Sequence, residues 1–175
     1  MRRTIIALVA ATLCVTTACA DTGTHTDPPP DGTPMSRPQP SLDESVSTLN
    51  ASLDALANVL HQVIPPEAWE PSGDGARIGC DEENHGRYSG PQYLAPGHYI
   101  PAQTWPQIES TLAEHGFLPA SSMPLEGGNA MVQFMNDFGD MVTVSSMEAT
   151  AKGRGGSSYD GETKCREGLT REPRR

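Results

Sequence analysis

Cys80 and Cys165 are the residues whose type and spacing predict the most definite chemistry in this chain. Neither has a second cysteine or a histidine at the spacing that a zinc site requires. In an oxidising compartment two such cysteines form a disulfide by default, and closing so long a loop stabilises a fold by roughly 4 to 5 kcal/mol. We therefore expect a structural disulfide between them, with a metal site as the alternative.

An acidic run with an adjacent imidazole, Asp81–His85, is a stretch that could hold a hard cation. Its spacing does not match a calcium-binding loop, so we expect a solvated loop without metal or cofactor. Asp137–Gly139 and Gly153–Ser157 share letters with the kinase magnesium tripeptide and with phosphate-binding loops. The other motifs of those sites are missing from the sequence, so we predict turns at both places.

Three side chains are the candidate binding residues, because aromatic and guanidinium groups dominate the contacts of protein interfaces. They lie on two polar, glycine-containing segments that we predict to be loops, Asp81–Gln92 and Gly153–Asp160. A disulfide would hold the Cα atoms of its two cysteines about 5 to 6 Å apart and would bring these loops to one edge of the sheet. The three candidates are Tyr88, Arg154 and Tyr159.

The N-terminus predicts export and a lipid anchor. Residues 1–18 start with two arginines, continue as a mostly apolar run that is short for a membrane span, and end in small side chains before Cys19. This order resembles the bacterial lipobox, so we expect residues 1–18 to be a lipoprotein signal peptide. Cys19 would then carry a lipid such as palmitate at the extracytoplasmic face of the cell membrane. Thr16 departs from the usual lipobox, which leaves open a cut after Ala20 and a secreted protein.

Charge and composition describe the segment after the anchor and exclude one class of partner. The formal net charge is −10, and removal of the signal peptide would take away two arginines, so nucleic acid is not an expected partner. Residues 19–40 are rich in proline, threonine and aspartate, with Met35 as their one large apolar side chain. We expect a flexible tether there, which could reach about 65 Å in extended form.

Caps and apolar spacing predict a first helix. Ser41 and Glu44 form a capping box at its start, and Pro65–Pro66 ends it. Polar residues occupy the other faces, so the apolar stripe could pack on a sheet, which we expect, or pair in a coiled coil. The stripe recurs at spacings of three and four residues and consists of Leu42, Val46, Leu49, Leu53, Leu56, Leu60 and Val63.

A second helix is predicted from Trp105 to about His115. Thr104 and Gln107 match a capping box by residue type, and Gly116–Phe117 fits a C-terminal cap in which Phe117 packs back on the helix. The apolar face of this helix consists of Trp105, Ile108, Leu112 and Ala113. Trp69, in the segment between the two helices, is expected to cover the end of the core.

Strands are predicted from short apolar runs and turn residues. They are Arg77–Cys80, Gln92–Ala102 with a break at Pro96–Gly97, a hairpin of Ala130–Met135 and Met141–Ser145, and a last strand around Thr163–Cys165. The resulting order α-β-β-α-β-β-β predicts a single α+β domain over residues 41–166, with an antiparallel sheet, two helices packed on one face and one disulfide. Residues 167–175 are a charged tail.

The order of these features resembles the mycobacterial LppA-type lipoproteins. The resemblance spans residues 5–166 and rests on the segment Ile64–Trp69, which reads Ile-Pro-x-x-x-Trp, and on the two distant cysteines. The resemblance implies a small α+β domain in the cell envelope. It implies no established activity, so no catalytic residue follows from it.

A non-enzymatic, membrane-anchored lipoprotein that binds a small ligand or another envelope protein is the function that these observations predict. Two alternatives stay open. A small extracytoplasmic hydrolase would need a nucleophile near His85, His98 or His115, and the sequence has no motif that places one. A coiled-coil partner of a membrane complex would use the apolar stripe of residues 42–63.

Overall fold

A computed structural model describes residues 38–124, 129–148 and 155–168 of the 175-residue chain. The predicted signal peptide and Cys19 lie outside the described residues, as do Arg154 and most of the predicted tether and tail. The described part has two helices and nine strands. They are α1 (Leu42–Leu60), β1 (Glu70–Ser72), β2 (Ala76–Gly79), β3 (His85–Ser89), β4 (Gln92–Pro96), α2 (Trp105–Glu114), β5 (Leu118–Pro124), β6 (Ala130–Met135), β7 (Met141–Met147), β8 (Gly156–Glu162) and β9 (Arg166–Glu167).

The strands form one antiparallel sheet. Its main path has the order β1-β4-β8-β7-β6-β5, and β3 joins β2 and β9 to this path by pairing with β8. The core contains side chains of both helices together with inward-facing side chains of β6, β7 and β8. The predicted fold class is therefore confirmed. The predicted order α-β-β-α-β-β-β has too few strands, since four lie between the helices and five follow α2 in the described part of the chain.

The helix α1 begins at the predicted capping box. The Ser41 backbone N–H donates to the Glu44 carboxylate at 2.7 Å, and the Glu44 N–H donates to the Ser41 hydroxyl at 3.3 Å. Leu49, Leu56 and Leu60 of the stripe are fully buried, so the stripe packs inside the domain and is not available for a coiled coil. The inclusion of Val63 was wrong: the helix ends at Leu60, and Val63 in the following turn is 40% exposed.

The helix α2 begins differently from the prediction. A short 3-10 turn, Ala102–Thr104, runs directly into the helix, so Thr104 has helical backbone angles and its side chain forms no cap. The predicted capping box of Thr104 and Gln107 is therefore wrong. The C-terminal cap is confirmed: Gly116 has a φ of +83°, and the N–H of Phe117 donates to the carbonyl of Leu112 at 3.0 Å. Ala113, which was assigned to the apolar face, is exposed.

The predicted hairpin is confirmed. The strands β6 and β7 pair from Ala130 to Met135, and the turn closes with a bond from the Asn136 N–H to the Asp140 carbonyl at 3.1 Å. Val132 and Phe134 share the buried face of β6, as their alternation predicted. Trp69 is 8% exposed and belongs to the core, also as predicted.

The strand β8 is the main error of the sequence prediction. Residues 156–160 were assigned to a loop, but they lie in the interior of the sheet between β4 and β7. The inward positions of β8 are Ser157, Tyr159 and Gly161, which do not form an apolar alternation. Similarly, β3 lies inside the predicted loop Asp81–Gln92, and Thr163–Cys165 connects β8 and β9 instead of forming a strand.

The predicted disulfide between Cys80 and Cys165 is present, with its Cα atoms 6.2 Å apart. Beside it lies a buried ion pair that the sequence did not predict. The Arg166 guanidinium donates to Asp140 at 2.5 Å, and the two side chains are only 4% and 2% exposed. It also donates to the Gln39 side chain at 2.8 Å and to the Phe138 carbonyl at 3.1 Å.

We predict that Arg166→Met lowers the free energy of unfolding by about 3 to 5 kcal/mol, because it leaves the Asp140 carboxylate buried without its cation. The matched control is Arg77→Met, since Arg77 pairs with Asp43 at an exposed surface. That change should cost no more than about 1 kcal/mol. Urea unfolding of both variants measures the difference, and equal losses would contradict the prediction.

Candidate functional site

The predicted binding residues lie on strands and not on loops. Tyr88 is half-buried on β3, Tyr159 is 3% exposed on β8, and Arg154 lies outside the described residues. The prediction of two projecting loops beside the disulfide is therefore wrong. Tyr88 and Tyr159 nevertheless line one cavity, and residues of α1 form its other wall.

We call this cavity the aromatic groove. It has a volume of about 560 Å³ and lies between the second half of α1 and the strands β3, β4 and β8. On the helix side it is lined by Asn50, Leu53, Asp54, Ala57 and His61. A volume in this range suits a small organic ligand, since binding cavities of proteins are commonly about 300 to 1,000 Å³.

Three aromatic rings pack together on the sheet side of the groove. Tyr93 of β4 and Tyr159 of β8 are direct cross-strand neighbours, and their rings stack with centroids 4.8 Å apart at 16°. Trp69 meets the Tyr159 ring edge-on, with centroids 5.1 Å apart at 67°. Aromatic pairs in such stacked and edge-on geometries are favourable, so the three rings form a rigid wall.

Tyr88 extends this wall, and Gly75 makes room for its ring. A Cβ atom on Gly75 would lie 2.6 Å from the Tyr88 hydroxyl, and Gly75 has a φ of +72° that a larger residue rarely adopts. A Cβ atom on Gly90 would lie 3.6 Å from both the Tyr88 ring and Leu53 of α1. Both distances are ordinary van der Waals contacts, so it is Gly75, and not Gly90, that the position of Tyr88 requires.

Asp54 is the charged side chain on the helix side. The lining of the groove contains no lysine or arginine, and Asp54 forms no ion pair or hydrogen bond with any residue that the structure describes. Burial raises the pKa of Tyr159, and the neighbouring Tyr93 and the Asp54 carboxylate raise it further. The Asp54 charge therefore acts on the aromatic wall across the groove.

A larger hollow, of about 680 Å³, lies beside the disulfide, and three of its charged or titratable groups, Glu44, His85 and Arg166, already have partners. Ser41 and Glu44 bond to each other in the helix cap, and Arg166 bonds to Asp140. His85 lies 3.4 Å from Glu82 at the edge of this hollow. The aromatic groove is the better candidate because it combines a wall of aromatic rings with a carboxylate that no described residue engages, whereas the larger hollow has no aromatic lining among the described residues.

For the other two histidines that a hydrolase could use, His98 and His115, the contacts seen in the described residues are made by the backbone and not by the imidazole ring. The Ser157 hydroxyl donates to the backbone carbonyl of His98, and not to its ring, at 2.9 Å. His115 ends α2, where its backbone N–H donates to the carbonyls of Ala113 and Leu112. Within residues 38–124, 129–148 and 155–168, no cluster of three or more histidine, cysteine or carboxylate side chains is arranged to hold a metal ion.

Sequence reasoning missed three residues of the groove: Trp69, Tyr93 and Asp54. Trp69 was predicted only as core, and Asp54 only as part of the polar face of α1. Tyr93 was placed in a strand, but its partner Tyr159 was placed in a loop, so the cross-strand pair could not be recognised. The signal that was present is the register of Tyr93 against Tyr159, which becomes visible only once β8 is known to be a strand.

Comparison with protein-family models, with curated proteins and with solved structures finds no match to this chain. Neither α1 nor α2 is long and apolar enough to cross a membrane, and these are the α-helices of the described residues.

We predict that the stability of the protein falls at alkaline pH through Tyr159. Its pKa is raised on folding, so its contribution is fully present below about pH 10, where an unfolded tyrosine ionises, and is lost as the pH rises through the folded-state pKa. The free energy of unfolding, measured from neutral to alkaline pH, should fall less steeply in Tyr159→Phe. Parallel loss in both proteins above about pH 10 would contradict this assignment.

Proposed function

We propose that this protein is a non-enzymatic binding protein of the cell envelope. In this proposal residues 1–18 export the chain, a lipid on Cys19 holds it at the extracytoplasmic face of the membrane, and residues 19–40 are the tether. The folded domain then binds a small ligand, or an exposed group of another envelope protein, in the aromatic groove. The observation that carries the proposal is the aromatic wall facing a carboxylate that no described residue engages.

The arrangement of polar groups in the groove supports binding over hydrolysis. Asp54 and His61 are seven residues apart on the same helix, which corresponds to about 10.5 Å along its axis. A general acid and base that act on one bond, or a base that activates a nucleophile, must lie within hydrogen-bond reach of the reacting atoms. Among the described residues the lining contains no serine, threonine or cysteine, and burial raises the pKa of the Tyr159 hydroxyl, which disfavours its nucleophilic anion.

The position of the groove also fits an anchored protein. The described chain begins at residue 38, and Gln39 is held by Arg166 just before α1 starts at Leu42. Asp54 is thirteen residues after Ser41, so it lies about 20 Å further along the helix. The proposed ligand site is therefore separate from the point where the tether enters the domain.

The resemblance to LppA-type lipoproteins adds to this proposal. The segment Ile64–Trp69 that carries the resemblance ends in Trp69, and Ile64 and Trp69 are both buried in the core. In the proposal, the family pattern thus supplies Trp69, the ring that meets Tyr159 edge-on in the aromatic wall. Membrane association through a lipid, and a small ligand or an envelope protein as partner, remain parts of the same proposal.

We predict that Cys19→Ala moves the exported protein from the detergent phase to the aqueous phase in a detergent partition experiment. The reason is that a lipid on a cysteine supplies membrane affinity of about 0.8 kcal/mol for each buried methylene group. Cys14→Ala is the matched control, since it changes a cysteine that the proposed signal peptide removes, and it should leave the partition unchanged. Detergent-phase protein in Cys19→Ala would disprove the anchor.

We predict that a ligand from an envelope extract stabilises the mature protein and that Tyr93→Ala abolishes the effect. A ligand at about 100 times its Kd raises the free energy of unfolding by about 2.7 kcal/mol, which a shift in Tm reports. Tyr99→Ala, which removes an exposed tyrosine outside the groove, should retain the shift. An equal shift in wild type and Tyr93→Ala would place the ligand elsewhere.

A further inference from the structure

We propose that the ligand of the aromatic groove is an organic cation, an ammonium group that carries alkyl substituents. This inference rests on the proposed binding function and names the chemical class of its ligand. Three observations carry it: an unengaged carboxylate on α1, aromatic rings on the facing wall, and apolar side chains between them.

The charge of the groove selects for a cation. Asp54 has no cationic partner among the described residues, and the lining contains neither lysine nor arginine. The whole chain has a formal net charge of −10, so the surrounding field disfavours anions as well. A bound cation would neutralise a carboxylate that no described residue pairs with.

The aromatic wall selects for a cation that is weakly hydrated. Tyr159 stacks on one side of the Tyr93 ring, and Tyr93 stays half-exposed where it lines the groove. Aromatic faces attract ammonium groups that come within about 6 Å of the ring centroid, and quaternary ammonium ligands are recognised in this way. The half-buried ring of Tyr88 offers a further surface beside Tyr93.

The rest of the lining argues for alkyl substituents and against a metal ion. Ca²⁺ and Mg²⁺ are bound by six or more oxygen atoms, whereas the groove presents a single carboxylate. An unsubstituted ammonium group is strongly hydrated and gains little from apolar walls. Leu53, Ala57 and Pro91 supply apolar contacts that match methyl or ethyl groups on the nitrogen.

The test compares choline with its uncharged isostere 3,3-dimethylbutan-1-ol on the full mature protein. Both probes have the same shape, so the difference in Kd reports the charge alone. We expect choline to bind at least about tenfold more tightly, because one carboxylate and the ring faces act on the cation and not on the alcohol. The Trp69 indole signal in NMR spectra reports binding in the groove, and Trp105→Phe identifies that signal among the two tryptophans.

Two variants separate the charge from the aromatic surface. Asp54→Asn should remove the preference for choline, whereas Glu109→Gln, the same change of charge on an exposed position of α2, should keep it. Tyr93→Leu should weaken choline binding while retaining an apolar side chain. Unchanged Tm values in the three variants show that each remains folded.

Two outcomes would overturn the inference, and they are distinguishable from each other. If the alcohol binds as tightly as choline and Tyr93→Leu weakens both, the groove binds neutral ligands, so the cation is wrong while the proposed binding function stands. If neither probe shifts the Trp69 signal and the envelope extract also leaves Tm unchanged, both the cation and the proposed function are wrong.

Discussion

The close packing of α1 on β8 is the constraint on which the rest of the structure depends. A Cβ atom on Gly161 would lie 2.8 Å from a methyl group of Leu49, so any larger residue at position 161 would displace the Leu49 side chain. The same approach brings Leu53 over Gly90 at the neighbouring end of β3. Residues of α1 between Asn50 and His61 therefore form one wall of the groove, and the aromatic residues of β4 and β8 form part of the other. The groove is the space that remains at the side of this contact.

The aromatic wall and the carboxylate are linked through Tyr159. Its ring is stacked on Tyr93 and touched edge-on by Trp69, which makes it the centre of the wall. Burial raises the pKa of its hydroxyl, and the Asp54 charge raises it further, so Tyr159 stays neutral beside an anion. A neutral aromatic ring and a carboxylate that no described residue engages both attract cations, and neither carries a positive charge. The packing of α1 on the sheet thus places the Asp54 carboxylate beside the aromatic wall, and the proposed ligand class rests on these two groups.

The sequence was informative where local chemistry decides the structure. The Ser41 cap, the leucine stripe, the Gly116–Phe117 cap and the Ala130–Met147 hairpin follow from caps, periodicity and turn residues that act within a few positions. It failed where distant residues decide. The inward side chains of β8 are serine, tyrosine and glycine, so no apolar alternation marks the strand: Gly161 lies against Leu49 of α1, and the Ser157 hydroxyl bonds to the carbonyl of His98. Arg166 lies at the border of the predicted charged tail. Its ion pair could not be recognised, because its partner Asp140 lies in a distant turn of the chain. The groove needs the Tyr93–Tyr159 register, which neither segment encodes alone.

The two ends of α1 take part in different contacts: its start lies beside the network around Arg166, and its second half lines the aromatic groove. At its start, Gln39 bonds to Arg166, which bonds in turn to Asp140 and follows directly after the disulfide at Cys165. The segment just before α1 is thus linked through side chains to a buried ion pair, next to a disulfide cysteine. At its other end, the helix lines the groove. Among the described residues, none of these lining residues bonds to Arg166. The aromatic groove and the network around Arg166 therefore lie at different ends of α1, which is the separation that the proposed anchored binding protein would need.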